Sequence, residues 1–140
     1  MNNDNIANGR VVSYTILLNV FYNEMLLNDA FLTYFLKYDL KDEDKSFIEY
    51  ECKGTIEYIK KIDDIIDKFS SVKKVKLDKE VLTALRLGIF ELMYMDRVPS
   101  FATINEYVEI IKNKKNKKLS GFVNAILRNV IRNSDIRKND

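Results

Sequence analysis

The sequence predicts an all-α protein, and three observations lead to this fold class. Apolar residues recur at helical spacing along almost the whole chain. The 140 residues include only one proline and four glycines, fewer than the turns of a sheet protein require. With 46% hydrophobic and 31% charged residues, a chain of this length buries one core, so we expect one domain over residues 1–140.

The first helical region extends over about residues 6–70 and begins with an apolar stripe in IANGRVVSYTILLNVFYNE. Asn28 or Asp29 is placed to cap a short second helix in DAFLTYFLKY. The acidic turn LKDED opens a third helix, expected from about Asp44 to Tyr58. The helical period then continues from Lys61 to Phe69, so this region contains four helical segments.

A polar, lysine-bearing connection at about residues 70–78 separates this region from the C-terminal helices. Asp78 is placed to cap the next helix, EVLTALRLGIFELMYM, which is apolar on most faces and is therefore expected to be central. Gly88 lowers the helix propensity of this segment by about 1 kcal/mol relative to alanine, so we expect another helix to cross closely there. The helix ends before Pro99, because the residue before a proline disfavours the helical conformation.

Two more helices complete the C-terminal region, which covers about residues 79–133. A sixth helix is expected from about Thr103 to Lys112, followed by a loop rich in lysine. Ser120 is placed to cap the seventh helix, in which Phe122 is a predicted core residue. The periodicity therefore predicts about seven helices.

Composition and motifs argue against an enzyme or a metalloprotein. Histidine is absent, which removes imidazole metal sites and the usual general base. Cys52 is the only cysteine and is predicted to be a buried, reduced thiol. Neighbouring carboxylates such as Asp63 and Asp64 are expected at solvated positions, and the sequence lacks a glycine-rich phosphate loop. We therefore expect no metal and no cofactor in this chain.

No apolar run approaches the ~18 residues that a membrane span needs. The first residues also lack the charged and then apolar pattern of a signal peptide. These observations favour a cytoplasmic protein with no membrane partner.

Charge is distributed unevenly along the chain. The first 70 residues carry eight lysines and arginines and 13 acidic residues, whereas the last 70 carry 15 and eight. This asymmetry indicates a polyanionic partner, since each phosphate contact adds salt-dependent affinity. A solvated lysine loop that keeps the protein soluble is the alternative. The candidate contacts are Lys112, Lys114, Lys115, Lys117 and Lys118, together with Arg128 and Arg132, which share one helix face.

Four motifs occur in a fixed order within residues 80–132. They are Leu85-Arg86-Leu87-Gly88, Asp96-Arg97-Val98-Pro99, Ile104-Asn105-Glu106 and Gly121-Phe122-Val123-Asn124-Ala125-Ile126-Leu127. In order and spacing they resemble the NusB-type RNA-binding domain family. The resemblance implies about seven helices in two subdomains and binding of ribosomal or pre-ribosomal RNA, with Arg10 added to the candidate RNA contacts.

The motif residues Gly88, Pro99, Asn105, Gly121, Phe122 and Asn124 are expected to have structural roles. Asparagine is unfavourable in the middle of a helix, so each asparagine needs a reason. We expect Asn105 and Asn124 to tie the sixth and seventh helices together through buried amide hydrogen bonds; the alternative is a direct contact with RNA.

The family has two main branches. One is the N-terminal domain of RsmB, a methyltransferase that makes 5-methylcytosine in small-subunit ribosomal RNA with S-adenosylmethionine. The other is the free antitermination factor NusB, which binds boxA RNA together with NusE. The stretches Lys53-Gly54-Thr55-Ile56 and Leu127-Arg128-Asn129 resemble the first branch, and the arginine-rich start typical of the second is reduced to Arg10.

We therefore favour a non-catalytic domain that positions ribosomal RNA for a methyltransferase domain linked in cis. In that case S-adenosylmethionine would belong to the linked domain only. The first alternative is a free antitermination factor whose partners are NusE and boxA RNA. The second alternative is a helical protein–protein adaptor.

Overall fold

A computed structural model describes residues 8–133 and shows seven α-helices, with no strand among these residues. The predicted all-α fold is confirmed. The helices are α1 Gly9–Tyr22, α2 Leu27–Lys37, α3 Asp42–Glu57, α4 Ile59–Phe69, α5 Lys79–Tyr94, α6 Ser100–Lys114 and α7 Lys117–Arg132.

The chain divides into two compact units between Gly54 and Thr55, near the end of α3. We call them unit 1 and unit 2. The lysine-bearing connection forms a short 3₁₀ helix, Lys74–Lys76, which belongs to unit 2. The predicted domain over residues 1–140 and the predicted extents of the two helical regions stay predictions, and residues 1–7 and 134–140 lie outside the described part of the chain.

Unit 1 is organised by the packing of α1 against α2. Val12, Ile16 and Leu17 of α1 are fully buried. Asn19 donates a 3.0 Å hydrogen bond to the hydroxyl of Tyr34, which fixes the two helices relative to each other. Burial of these side chains supplies most of the stability of such a pair, since each buried aliphatic side chain contributes about 1.5–3 kcal/mol.

The predicted cap of α2 is wrong. Asn28 and Asp29 lie inside the helix, and Leu26 is at the N-cap without a side-chain hydrogen bond. By contrast, Asn8 caps α1, because its side-chain oxygen accepts a 2.8 Å hydrogen bond from the backbone N–H of Arg10.

Unit 2 is built around α5, which contacts α4, α6 and α7. Twelve of its 16 residues are buried, as expected for a helix that is apolar on most faces. Gly88 lies where α7 approaches, and a Cβ atom at this position would be 3.1 Å from both terminal methyl groups of Leu127. The glycine therefore allows the close helix crossing that its position predicts. None of the helices described here is long and apolar enough to cross a membrane.

Candidate nucleic-acid interface

The lysine-rich stretch is a joint between two helices, so the predicted loop is wrong. α6 continues to Lys114 and α7 begins at Lys117, which leaves only Lys115 and Asn116 between them. Helical backbone therefore carries four of the five lysines. We call residues 112–118 the basic joint.

Asn116 is the reason that α7 begins early. Its backbone is extended, and its side-chain oxygen accepts a 2.8 Å hydrogen bond from the N–H of Leu119. An N-cap of this kind contributes about 1 kcal/mol. Ser120, the predicted cap, is buried inside the first turns, where its hydroxyl donates a 2.8 Å hydrogen bond to the carbonyl of Lys117.

The five lysines of the basic joint are not equivalent. Lys115 lies 3.4 Å from a carboxylate oxygen of Asp78 and 3.7 Å from one of Glu80, so it ties the end of α6 to the start of α5. The other four are exposed and form no ion pair with any residue between 8 and 133. These four are Lys112, Lys114, Lys117 and Lys118.

The positions of these lysines concentrate positive charge. Lys117 and Lys118 occupy the first turn of α7, where the unpaired backbone N–H groups already make the helix end positive. A cation there destabilises the helix by about 0.3–1 kcal/mol, whereas an anionic ligand is stabilised. The arrangement is favourable for a phosphate and unfavourable for the helix alone.

The exposed face of α7 continues this positive surface. The Arg128 Nε donates a 3.0 Å hydrogen bond to the side-chain oxygen of Asn124. Arg132 donates a 3.2 Å hydrogen bond to the side-chain oxygen of Asn129. Both arginines are exposed, and these bonds align their side chains along the helix. Gly121 is also exposed, and a Cβ atom there would meet nothing within 4 Å.

The predicted amide tie between α6 and α7 is wrong. Asn105 is exposed, and the side chain of Asn124 bonds to Arg128 in its own helix. A different polar pair lies in the interior, where the Thr103 hydroxyl donates a 2.7 Å hydrogen bond to a carboxylate oxygen of Glu91 and ties α6 to α5. The signal available in the sequence was Glu91, an acidic residue between apolar neighbours in a mostly apolar helix.

Two other motif residues lie at the surface of unit 2. Phe122 is only partly buried, so the prediction of a core residue is wrong. It lines a groove of about 330 Å³ with Val72, Lys76, Leu77, Asp78, Val81, Lys118 and Leu119. Pro99 is exposed at the N-cap of α6, and its carbonyl accepts a 3.0 Å hydrogen bond from the N–H of Ala102.

Arg10 belongs to unit 1, in the first turn of α1. Its guanidinium carbon lies 5.3 Å from the ring centre of Phe47, within the range of a cation–π contact. Asn8 and Asp44 line the same shallow depression. The side chain is partly buried, so it is held in one place, unlike the exposed lysines of the basic joint.

The remaining reactive groups are the acidic side chains and one cysteine. No group of three or more His, Cys, Asp or Glu side chains among these residues is arranged to hold a metal ion. Cys52 is a buried, free thiol. Burial raises its pKa well above the ordinary value, and the nearby Glu51 raises it further, so the reactive thiolate is disfavoured.

Asp63 is not solvated as predicted. Arg86 holds it through two parallel hydrogen bonds, each of 2.9 Å, and both side chains are less than 15% exposed. Lys74 adds a third contact at 3.6 Å. This ion pair joins α4 to α5, and its partners are 23 residues apart in the sequence, which explains why local patterns did not reveal it.

Comparison with known proteins agrees with this architecture. The NusB family profile matches residues 8–132. The transcription antitermination protein NusB of Acetivibrio thermocellus is 36% identical over 97 residues, which cover 69% of this chain and 67% of the relative. The protein of the same name from Listeria monocytogenes is 32% identical over 115 residues, covering 81% and 86%.

Two solved structures share the fold. A crystal structure of antitermination factors NusB and NusE in complex with double-stranded RNA matches with a TM-score of 0.78 at 22% identity, covering 94% of this chain and 95% of the other. A structure of T. maritima NusB also matches with a TM-score of 0.78, at 23% identity and with 89% of each chain covered.

These relatives correct the main interpretation drawn from the sequence. They carry the name of a transcription factor, not of an enzyme, so the reading as a methyltransferase domain is wrong. That interpretation depended on two stretches of three or four residues and on an N-terminal start with Arg10 as its one arginine, whereas the matches to antitermination proteins extend over about 100 residues. The chain belongs to the NusB family.

Proposed function

We propose that this protein is a transcription antitermination factor of the NusB type that binds RNA through the basic joint and the exposed face of α7. The observation that carries the proposal is a set of four exposed lysines at the end of α6 and the start of α7 that form no ion pair with any residue between 8 and 133. Relatives that are 32–36% identical are named antitermination proteins, which supports the same function.

The chemistry of the surface suits the backbone of RNA. Lysine acts as a flexible point charge, so the basic joint supplies affinity for phosphate more than sequence selection. Arg128 and Arg132 add planar groups that bind phosphate through two parallel hydrogen bonds. Each neutralised phosphate contributes about −0.7 to the salt slope on single-stranded nucleic acid, so the four lysines contribute about −3.

The proposal includes a protein partner and a class of RNA. One solved structure with this fold contains NusB together with NusE and RNA, so we propose a partner of the NusE class for this chain. The RNA would be a boxA element in a ribosomal RNA precursor. A factor acting on nascent bacterial transcripts works in the cytoplasm.

The test is a fourfold variant in which Lys112, Lys114, Lys117 and Lys118 become glutamine. We expect weaker binding of a boxA RNA and a salt slope less negative by about 3, measured by fluorescence anisotropy at several salt concentrations. A matched variant replaces four exposed lysines outside the basic joint with glutamine, namely Lys37, Lys41, Lys68 and Lys73. It removes the same charge and should keep the salt slope of the natural protein.

Equal losses in the two variants would mean that net charge, not the basic joint, determines binding. Unchanged RNA binding in both variants would mean that RNA contacts another surface and would overturn the proposed site. A natural protein that binds a NusE-class protein but ignores RNA at low salt would favour the adaptor alternative and overturn the proposal.

A further inference from the structure

A group of three aromatic rings lies at the end of α5 in unit 2. The rings of Tyr58 and Tyr94 are stacked, with centroids 4.4 Å apart and an angle of 17° between their planes. Phe90 packs against Tyr94 at 5.4 Å and against Tyr58 at 6.5 Å. Lys61 places its ammonium nitrogen 6.0 Å from the ring centre of Tyr94. We call Tyr58, Tyr94 and Lys61 the tyrosine stack.

Core packing explains only part of this group. Phe90 is 1% exposed and belongs to the interior of unit 2. Tyr58 is 40% exposed, although its ring is held flat against that of Tyr94. An aromatic ring that is packed against a neighbour and is still 40% exposed keeps area for contact with another flat ring.

The backbone holds Tyr58 in position. The residue lies between Glu57, the last residue of α3, and Ile59, the first residue of α4. Its carbonyl accepts a 2.9 Å hydrogen bond from the N–H of Ile62. Because helices begin and end on either side of it, the ring is ordered before a ligand arrives, which lowers the entropy lost on binding.

The tyrosine stack and the basic joint lie at opposite ends of α5. Lys115 of the joint pairs with Asp78 at the start of this helix, and Tyr94 is its last residue. A helix of 16 residues is about 24 Å long, so the two surfaces are separated by roughly that distance.

Positive charge on α7 extends in the direction of the tyrosine stack. Asp78 and Lys118 line one groove near the starts of α5 and α7, and Gly88 meets Leu127 further along both helices. The two helices therefore run in the same direction. Arg128 and Arg132 consequently lie towards the end of unit 2 at which α5 finishes.

Charge near the tyrosine stack is balanced. Lys60 and Lys61 are exposed, and so are the acidic residues Glu57 and Asp64. This site therefore offers a ring face rather than an attraction for phosphate. Nucleobases bind such faces in a sequence-tolerant way, since every base has a π surface. A duplex keeps its bases stacked internally, whereas a single strand exposes them.

We propose that the tyrosine stack binds one unpaired base of an RNA strand whose phosphates are held by the basic joint and α7. The ligand is single-stranded RNA, and Tyr58 supplies the outer stacking face. This inference deepens the proposed function and rests on it, because it needs an RNA strand already bound at the basic joint.

The test compares two replacements of Tyr58. Tyr58→Phe keeps the ring, whereas Tyr58→Leu keeps an apolar side chain without a π face. We expect Tyr58→Leu to weaken binding of single-stranded boxA RNA by about 5- to 150-fold, the loss of one base–aromatic stack, and Tyr58→Phe to bind like the natural protein. The salt slope should stay unchanged, and a duplex of equal length should bind equally to all three proteins.

The control is Tyr50→Leu, since Tyr50 is 56% exposed and lies in unit 1. It should leave affinity for the single strand unchanged. A second measurement uses the natural protein, with 5-bromouridine placed in the RNA and cross-linked by light. The peptide that contains Tyr58 should carry the cross-link.

The outcomes separate this inference from the proposed function. If Tyr58→Leu binds single-stranded RNA normally while the glutamine variant of the basic joint does not, the tyrosine stack is not an RNA site and the proposed function stands. If both bind normally, the proposed function fails as well. If Tyr58→Leu loses a NusE-class protein but keeps RNA, the surface belongs to the protein partner and the inference is overturned.

Discussion

Two glycines lie within helices of unit 2, and their surroundings differ. Gly88 lies at the crossing of α5 and α7, and Gly121 lies in α7 just after the basic joint. A Cβ atom at Gly88 would lie 3.1 Å from Leu127, whereas one at Gly121 would meet nothing within 4 Å. Either glycine lowers helix stability by about 1 kcal/mol relative to alanine. At the crossing, close packing offsets this loss, whereas at Gly121 no neighbour among residues 8–133 lies close enough to offset it.

The polar residues of the two regions differ in the same way. Near the crossing, the Glu91 carboxylate accepts a hydrogen bond from the Thr103 hydroxyl and Arg86 pairs with Asp63, so these largely buried polar groups have partners. At the basic joint, Lys117 and Lys118 lie at the positive start of α7, and with Lys112 and Lys114 at the end of α6 they form no ion pair to described residues. The difference indicates that the crossing is arranged for stability, whereas the joint gives up stability and keeps an open, positive surface.

The largest expected effect comes from removing the side chain that meets Gly88. Leu127 is fully buried, so Leu127→Ala should lower the free energy of unfolding by about 2–5 kcal/mol. Chemical denaturation followed by circular dichroism measures this change. A loss below about 1 kcal/mol would show that the crossing is not a tightly packed region.

A double-mutant cycle sharpens this test. Gly88→Ala alone gains about 1 kcal/mol of helix propensity and loses about 1–3 kcal/mol through overpacking against Leu127, so it should be neutral or destabilising. In the Leu127→Ala background the new methyl group has room, and the same change should stabilise. Additive effects of the two changes would contradict the close approach.

The next effect concerns the ion pair between α4 and α5. Arg86→Ala removes two charge-assisted hydrogen bonds and leaves Asp63 mostly buried, with Lys74 as its ion-pair partner among residues 8–133, so we expect a loss of about 1.5–3 kcal/mol. Lys115→Ala is the control, because this lysine is 31% exposed and its ion pairs should contribute at most about 1 kcal/mol. Equal losses of stability in the two variants would show that the interior ion pair contributes no more than the surface ion pairs.

The interior was largely predictable because its signal is local and repeated. The apolar residues of EVLTALRLGIFELMYM indicate a central helix, and the glycine among them indicates a close neighbour. Polar pairs were not predictable in this way. Arg86 and Asp63 are 23 residues apart, and Glu91 and Thr103 are 12 apart, so only the tertiary fold brings them together.

The lysines of the basic joint were identified from the sequence, but the prediction that their backbone forms a loop was wrong. Lysine has good helix propensity and asparagine is a good N-cap, so KNKKNKK fits a helix end followed by a helix start as well as a loop. Hydrogen bonding by Asn116 decides between them, and composition alone does not contain that information. The tyrosine stack was missed for a similar reason, since Tyr58 and Tyr94 are far apart in the sequence and carry no shared motif.

A smaller change in stability is expected for Gly121→Ala. It should stabilise the protein, whereas Leu127→Ala should destabilise it. Gly121→Ala should raise the free energy of unfolding by about 1 kcal/mol, because the methyl group meets no neighbour in a helix that prefers alanine. If RNA approaches this bare stretch of α7, the same variant should bind boxA RNA less tightly. A stabilised variant with unchanged RNA affinity would restrict the RNA surface to the lysines and arginines.

The smallest change in stability tests the electrostatics of the joint directly. Lys117 lies in the first turn of α7, so Lys117→Glu should raise the free energy of unfolding by about 0.3–1 kcal/mol through the helix dipole. Lys112 lies in the last turn of α6, where a cation is favourable, so Lys112→Glu should lower it by a similar amount. Both variants should bind RNA less tightly, since each removes a contact to phosphate and adds a repulsive charge.

Opposite shifts in melting temperature together with parallel losses of RNA affinity would show that the lysines at the start of α7 are retained at the expense of stability. Shifts of the same sign would mean that the dipole does not govern this joint, and Lys117 would then need another explanation.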